Sequence, residues 1–299
     1  MAGTIVTGST GFLGAHLVRA LAARNGPVVA ADLAEPPPDV RALWADHVVE
    51  FRELDVREPA AVFADVRPDV VVHAAAVTNG DRRILDEVNV GGTAAVLAAA
   101  ATARVVYVSS ASVYADGAVL DEDSSVRTDP GGYPASKLAA ERLAVKAGAV
   151  IARVAACYGP LERDTGTRQV MSLPYTAIRA ALAGRAVQVE PGQAGRAFDP
   201  TWVGDIAEGI AALATVDPPH RLYNVGSGTA ITLAALADAV NSAVGPVEPT
   251  DPPFFLSLPP EHRSGVLDVT RLRELSGRAA TPLPDALAAY LEWLRDHAC

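Results

Sequence analysis

An α/β fold, a doubly wound parallel sheet with a smaller C-terminal lobe, is what this 299-residue sequence predicts, on three observations. Short apolar, β-branched runs alternate with longer helix-compatible stretches from Gly3 to about Ala155. A glycine-rich turn follows the first of those runs at once and opens a helix. Beyond Tyr158-Gly159-Pro160 the alternation loosens, and a second lobe begins. Strands that are apolar throughout are buried on both faces, and helical crossovers between them make the sheet parallel.

The strand candidates are Thr4–Thr7, Val28–Ala31, Val48–Phe51, Val70–His73, Val105–Val108 and Val150–Val154. Helices are predicted over about Gly11–Arg24, Leu85–Ala101 and Tyr133–Ala147, the last stopped by Gly148. Residues 161–170 read as a polar loop. After it come a helix near Met171–Leu182, a strand near Val187–Val189, helices near Asp205–Leu213 and Leu233–Val244, and a terminal helix from about Leu283 to His297. Residues 1–160 are expected to form the sheet domain and 161–299 mainly a second lobe, with 199–226 returning to the first. The prolines of Pro36–Pro38 and Pro252–Pro260 are expected in loops, since neither stretch is long enough for a linker between free domains.

Half of the residues are apolar and 20% are charged, which fits a globular protein and excludes disordered, collagenous and disulfide-rich classes. The formal charge of −10 opposes broad binding to nucleic acid or an anionic membrane. Cys157 and Cys299 are too few for a disulfide framework or a cysteine metal cluster, so a reducing, cytoplasmic setting is expected. The opening residues carry no export signal, and the apolar run Ala94–Ala101 is too short to span a membrane. The six histidines are scattered without ligand spacing, so no metal is expected.

Thr7-Gly8-Ser9-Thr10-Gly11-Phe12-Leu13-Gly14 has the G-x-x-G-x-x-G spacing between a strand and a helix. Glycines permit a tight turn and close backbone approach, and the helix N-terminus offers unpaired N–H groups to a pyrophosphate. A glycine trio alone also suits any strand-to-helix turn. Asp32, eighteen positions after Gly14, stands where a carboxylate accepts from adenosine ribose hydroxyls and repels a 2′-phosphate. That favours NAD over NADP as cofactor. Asp55 and Val56 follow the third strand and frame the adenine edge, although a surface turn explains Asp55 almost as well.

Tyr133 and Lys137 lie four residues apart, on one face of a helix. A neighbouring cation favours the phenolate, which then accepts a substrate hydroxyl proton while hydride leaves the same carbon. The pair by itself also fits an ordinary surface contact. Val108-Ser109-Ser110-Ala111-Ser112-Val113-Tyr114 leaves a buried strand where ligands of open α/β sheets gather, and a serine there either holds the substrate oxygen or caps the strand end.

These residues resemble the extended short-chain dehydrogenase/reductase family, and within it the NAD-dependent epimerase/dehydratase branch acting on sugar nucleotides. The resemblance spans nearly the whole chain and adds His73-Ala74-Ala75-Ala76, Asn89-Val90-Gly91-Gly92-Thr93, Tyr158-Gly159-Pro160, Tyr223-Asn224-Val225-Gly226-Ser227-Gly228 and the closing helix around Trp293 to the elements above. It implies a Rossmann sheet, with Ser110 as the catalytic hydroxyl, Tyr133 as the base, and Lys137 as its partner and holder of the nicotinamide ribose. The cofactor set it implies is Gly8, Gly11, Phe12, Leu13, Gly14, Asp32, Asp55, Val56, Ala74, Ala75, Asn89, Tyr133 and Lys137. Thr78 and Ser112 fall near the substrate, Arg168, Arg196 and Arg263 are phosphate candidates, and a homodimer is the family's common assembly.

The departures concern substrate. Ala156 stands where the family often has an Asn that meets the sugar nucleotide, and Ala111-Ser112 replace the Asp-Glu pair of the sugar 4,6-dehydratases. The expected function is an NAD-dependent epimerase of a sugar, nucleotide-linked, through transient hydride transfer at a secondary alcohol. The alternatives are a dehydrogenase or ketoreductase of a smaller sugar or sugar acid, and a non-catalytic dinucleotide sensor.

Overall fold

The computed structural model describes residues 3–245, 252–258 and 265–297. Seven strands form one sheet in the order Leu222–Val225, Val150–Val154, Arg104–Ser110, Val70–His73, Thr4–Thr7, Val28–Asp32, Val49–Glu53. Every pairing in it is parallel. The first strand therefore sits inside the sheet, and the chain winds outward from it in both directions. The crevice at this reversal, beyond the carboxyl ends of the strands, is where such sheets receive ligands.

Alternation along the strands separates two cores. Val6, Val72, Val106 and Val108 pack against helices Phe12–Asn25 and Val203–Thr215 on one face. Ile5, Val71, Val105, Tyr107 and Ile151 pack with Phe63, Val96, Ala140 and Ala144 on the other. With both faces covered, period-two polarity is lost and the strands read as continuous apolar runs.

The predicted helix Leu85–Ala101 is a composite: one α turn at Arg82–Leu85, a π-helical stretch at Asp86–Gly91, and an α segment at Gly92–Ala99. The widened turn carries the buried Asn89. Pro38–Trp44, expected as loop at its start, is helical, with Pro38 in the first turn where its missing N–H costs nothing.

A separate core holds the second lobe, with Ile178, Leu236, Val240, Leu256, Leu287, Tyr290 and Leu291 brought together from helices Leu173–Leu182, Leu233–Val244 and Leu283–Asp296 and strand Phe254–Leu256. Between these elements the chain crosses back: helix Val203–Thr215 lies on the first core and strand Leu222–Val225 extends the sheet. Asp199 fastens the crossing. Its buried carboxylate accepts from Thr201 Oγ1, from the N–H and hydroxyl of Ser227, and from the N–H groups of Gly228 and Leu267.

Candidate active site

A cleft of about 1240 Å³ lies at the sheet's reversal point. Gly8, Gly11, Phe12, Leu13, Gly14, Asp32, Asp55, Val56, Ala74, Ala75, Thr78, Tyr133 and Lys137, all named from the sequence, line it. The glycine turn has no room for side chains. A Cβ on Gly14 would stand 1.8 Å from the Gly8 carbonyl oxygen, and one on Gly8 (φ +72°) 2.6 Å from Ala75 Cα. Gly11 begins helix Phe12–Asn25 without a side-chain cap, so the first-turn N–H groups face an incoming anion. Asp32 secures the turn: its Oδ2 accepts from the N–H and the hydroxyl of Thr10, both at 2.8 Å, and its Oδ1 from Leu33 N at 2.8 Å. This cradle fits a dinucleotide pyrophosphate with a ribose at Asp32.

Asp55 is joined in the cleft lining by Arg57, a residue the sequence did not single out. The guanidinium is paired to both oxygens of Asp55, and its hydrogen bonds hold that carboxyl below its ordinary pKa.

His73 supports the wall from beneath. Thr93 donates to Asn89 O at 2.6 Å, so its oxygen accepts from His73 Nε2 at 2.9 Å and His73 Nδ1 accepts from Thr7 at 2.7 Å. Burial, with Lys137 adding to it, pushes this imidazole down to about 3, so it is neutral. Asn89 lies one layer behind the wall. It is 1% exposed, and its carboxamide bonds Val77 N and O and Ser136 Oγ.

Helix Gly132–Lys146 presents Tyr133 and Lys137 to the cleft. The Ser110 hydroxyl stands near the Tyr133 phenol and opposes the rise of its pKa, although Ser110 is not among the cleft-lining residues. Ser109, the preceding strand residue, lines the cleft and donates its hydroxyl to Glu141 Oε2 at 2.6 Å. Ser112 is half-buried, with its hydroxyl oxygen buried and unpartnered among the described residues; it donates its N–H to Ser110 Oγ and is not among the cleft-lining residues.

The electrostatics differ from the sequence expectation. Burial pushes the Tyr133 phenol up to about 12, with the Cys157 thiol adding to it, and the opposing groups are Arg168 and the Ser110 hydroxyl. Lys137 is not the cation acting on this phenol. Its ammonium reaches the sheet instead, donating to Val108 O at 2.6 Å and standing 4.4 Å from the Tyr107 ring centroid. Burial pushes Lys137 down to about 7, and Glu141 opposes the fall. Glu141 completes a Tyr133, Lys137, Glu141 series at intervals of four, a pattern from which its place could have been read.

Arg168 lines the cleft. Arg196 instead donates to Leu258 O and is not among the cleft-lining residues. Arg263 lies outside the described residues. Cys157 lines the cleft as well, its thiol pushed up to about 11 by burial against the opposing charge of Arg168. Among the described residues no group of three His, Cys, Asp or Glu side chains is placed to hold a metal, and no helix is long and apolar enough to cross a membrane.

A glycine-turn cradle beside a Ser, Tyr and Lys constellation, on a seven-stranded parallel sheet, defines a nucleotide-dependent oxidoreductase of the Rossmann type. Residues 4–226 match the model of the NAD dependent epimerase/dehydratase family, and the chain belongs to that family; its cofactor is NAD. It is 29% identical over 324 residues to a dTDP-glucose 4,6-dehydratase of Streptomyces griseus, covering 98% of this chain and 94% of that protein. It is 28% identical over 314 residues to a UDP-glucose 4-epimerase of Mycolicibacterium smegmatis, covering 98% of each. The solved structure of MoeE5 in complex with UDP-glucose and NAD matches all of both chains, with a TM-score of 0.83 at 26% identity.

Proposed function

We propose that the chain is an NAD-dependent epimerase of a nucleotide-linked sugar. The observation that carries the reading is the Tyr133 phenol on the wall of the same cleft that the glycine turn lines. Ser110 holds the substrate oxygen, and Tyr133 takes the hydroxyl proton as the carbon is oxidised and returns it when the carbon is reduced on its other face. Gly8, Gly11–Gly14, Asp32, Val56, Ala74 and Ala75 hold the cofactor, with Lys137 on the nicotinamide ribose. NAD supplies the hydride acceptor and donor.

The dehydratase activity of the Streptomyces griseus relative is not carried over, because Ala111 and Ser112 stand where dehydration needs an acid and a base. A single hydride transfer on a smaller sugar is the second reading, and Ala156 favours it, since a methyl group makes no hydrogen bond to a nucleotide sugar. Incubation with UDP- and dTDP-hexoses tests the pair. Epimer formation with retained NAD and no net change in nicotinamide absorbance supports the first; stoichiometric NADH formation or consumption supports the second. Loss of turnover in Tyr133→Phe, by about 10²-fold or more, with NAD still bound, is expected in both. The reading includes a homodimer, which light scattering tests.

A further inference from the structure

Arg168 enters the cleft on the loop that follows strand Ala156–Tyr158, and the contacts along that loop hold it still. Its Nη2 donates to Glu162 Oε1 at 2.7 Å, and the Glu162 side chain is fully buried. Glu162 also accepts from the N–H and the hydroxyl of Ser172, at 2.7 and 2.8 Å, so its charge is shared among three donors. The guanidinium carbon lies 5.1 Å from the Phe12 ring centroid. On either side, Thr167 O accepts from the N–H and hydroxyl of Thr78 at 2.9 Å, and Arg163 pairs with Asp39 at 2.8 Å.

The result is a guanidinium fixed at one edge by Glu162 and on one face by Phe12, in a wall shared with Tyr133 and Cys157. Its Nε is buried and has no hydrogen-bond partner among the described residues. A guanidinium held in place yet 24% exposed in the cleft wall presents its charge and its outer N–H groups to an anion at little further ordering cost, and a planar carboxylate matches that fork.

We propose that Arg168 binds a carboxylate of the substrate close to the reacting carbon, so that the preferred substrate is a sugar acid. The proposal rests on the reading of the cleft as a sugar-oxidising site and adds the charge of the sugar. It places the guanidinium on the sugar and not on a nucleotide diphosphate.

The test is calorimetric titration of the NAD-loaded protein with two pairs that differ at C6, UDP-glucuronic acid against UDP-glucose and glucuronic acid against glucose. The wild type is expected to prefer the acid of the pair it binds by about tenfold or more, the value of a charge-assisted contact. In Arg168→Gln the preference falls to within about twofold, while affinities for the uncharged sugar and for NAD hold; Arg168→Lys retains part of it. An absent preference, or one that survives Arg168→Gln, overturns the proposal. An equal loss for acid, uncharged sugar and NAD also overturns it, because the guanidinium would then serve a diphosphate. The epimerase reading is judged separately, by epimer formation from either nucleotide sugar, acid or uncharged, in the wild type. Failure of all four sugars to bind removes both.

Discussion

The carboxamide of Asn89 donates to the Ser136 hydroxyl at 2.9 Å, and Ser136 donates in turn to the Tyr133 carbonyl at 2.8 Å. Because Asn89 also pairs with the N–H and C=O of Val77, one buried side chain ties the cleft wall at Val77 to the first turn of the helix that carries Tyr133. Asn89→Ala strands buried polar groups at Val77 and is expected to cost about 2–4 kcal/mol in urea unfolding. NAD affinity and kcat should fall together, although the residue lies behind the cleft wall. An unchanged NAD affinity in the folded variant would separate the wall from the helix.

Asp32 closes the glycine turn through Thr10 and lines the cleft, where the proposed function sets a ribose against it. Removing its charge relieves repulsion of a 2′-phosphate as well as deleting an acceptor. Asp32→Ala is therefore expected to weaken NAD more than NADP, and to lower Tm through the loosened turn. Equal losses for the two cofactors, measured by fluorescence titration, would argue against a ribose at this carboxylate.

The sheet was legible because burial on both faces leaves apolar runs such as Val70–His73 whose length and flanks mark a strand. Strand Leu222–Val225 was not read as one. Asn224 interrupts its apolar pattern, and only the folded chain supplies the partners that let an amide be buried there: Leu120 O, Asp268 O and the Tyr114 hydroxyl. The same contrast holds in the site. Spacing along one helix marks Tyr133 and Lys137, whereas Arg168 reaches Tyr133 only because its loop is fastened to Thr78, Asp39 and Glu162. Lys137 shows the limit of reading a side chain from spacing, since its ammonium ends at Val108 O. The interval of four places it on the right face but says nothing of where a long side chain ends.

Glu141 and Arg153 form a buried pair at 2.6 Å, with side chains 6% and 7% exposed, beneath the strand end that carries Ser109 and Ser110. Glu141→Ala leaves a buried guanidinium without its counter-ion and Ser109 without an acceptor. A loss of about 3–5 kcal/mol is expected in urea unfolding. The double variant Glu141→Leu with Arg153→Met should recover much of it, since no charge is then stranded. A double variant as unstable as the single one would assign the loss to packing.

Two buried histidines set the acid limit of the fold. Burial pushes His16 down to about 4, with its hydrogen bond to the Pro160 carbonyl opposing and Arg19 adding, and His73 down to about 3. Both folded-state values lie below the unfolded 6.5, so the unfolded chain binds protons first. The stability this contributes is full above about pH 6.5 and drains away as pH falls toward 4. The slope approaches two protons, each worth about 1.4 kcal/mol per pH unit. Lys137 acts in the same direction on the alkaline side. Its folded value of about 7 lies below the unfolded 10.5, so stability rises with pH between them. Urea midpoints measured from pH 4.5 to 9 should increase throughout that range as far as these groups control it. His16→Gln, which keeps a donor for Pro160 O, should remove one proton from the acid slope; an unchanged slope would show that His16 titrates freely in the folded chain.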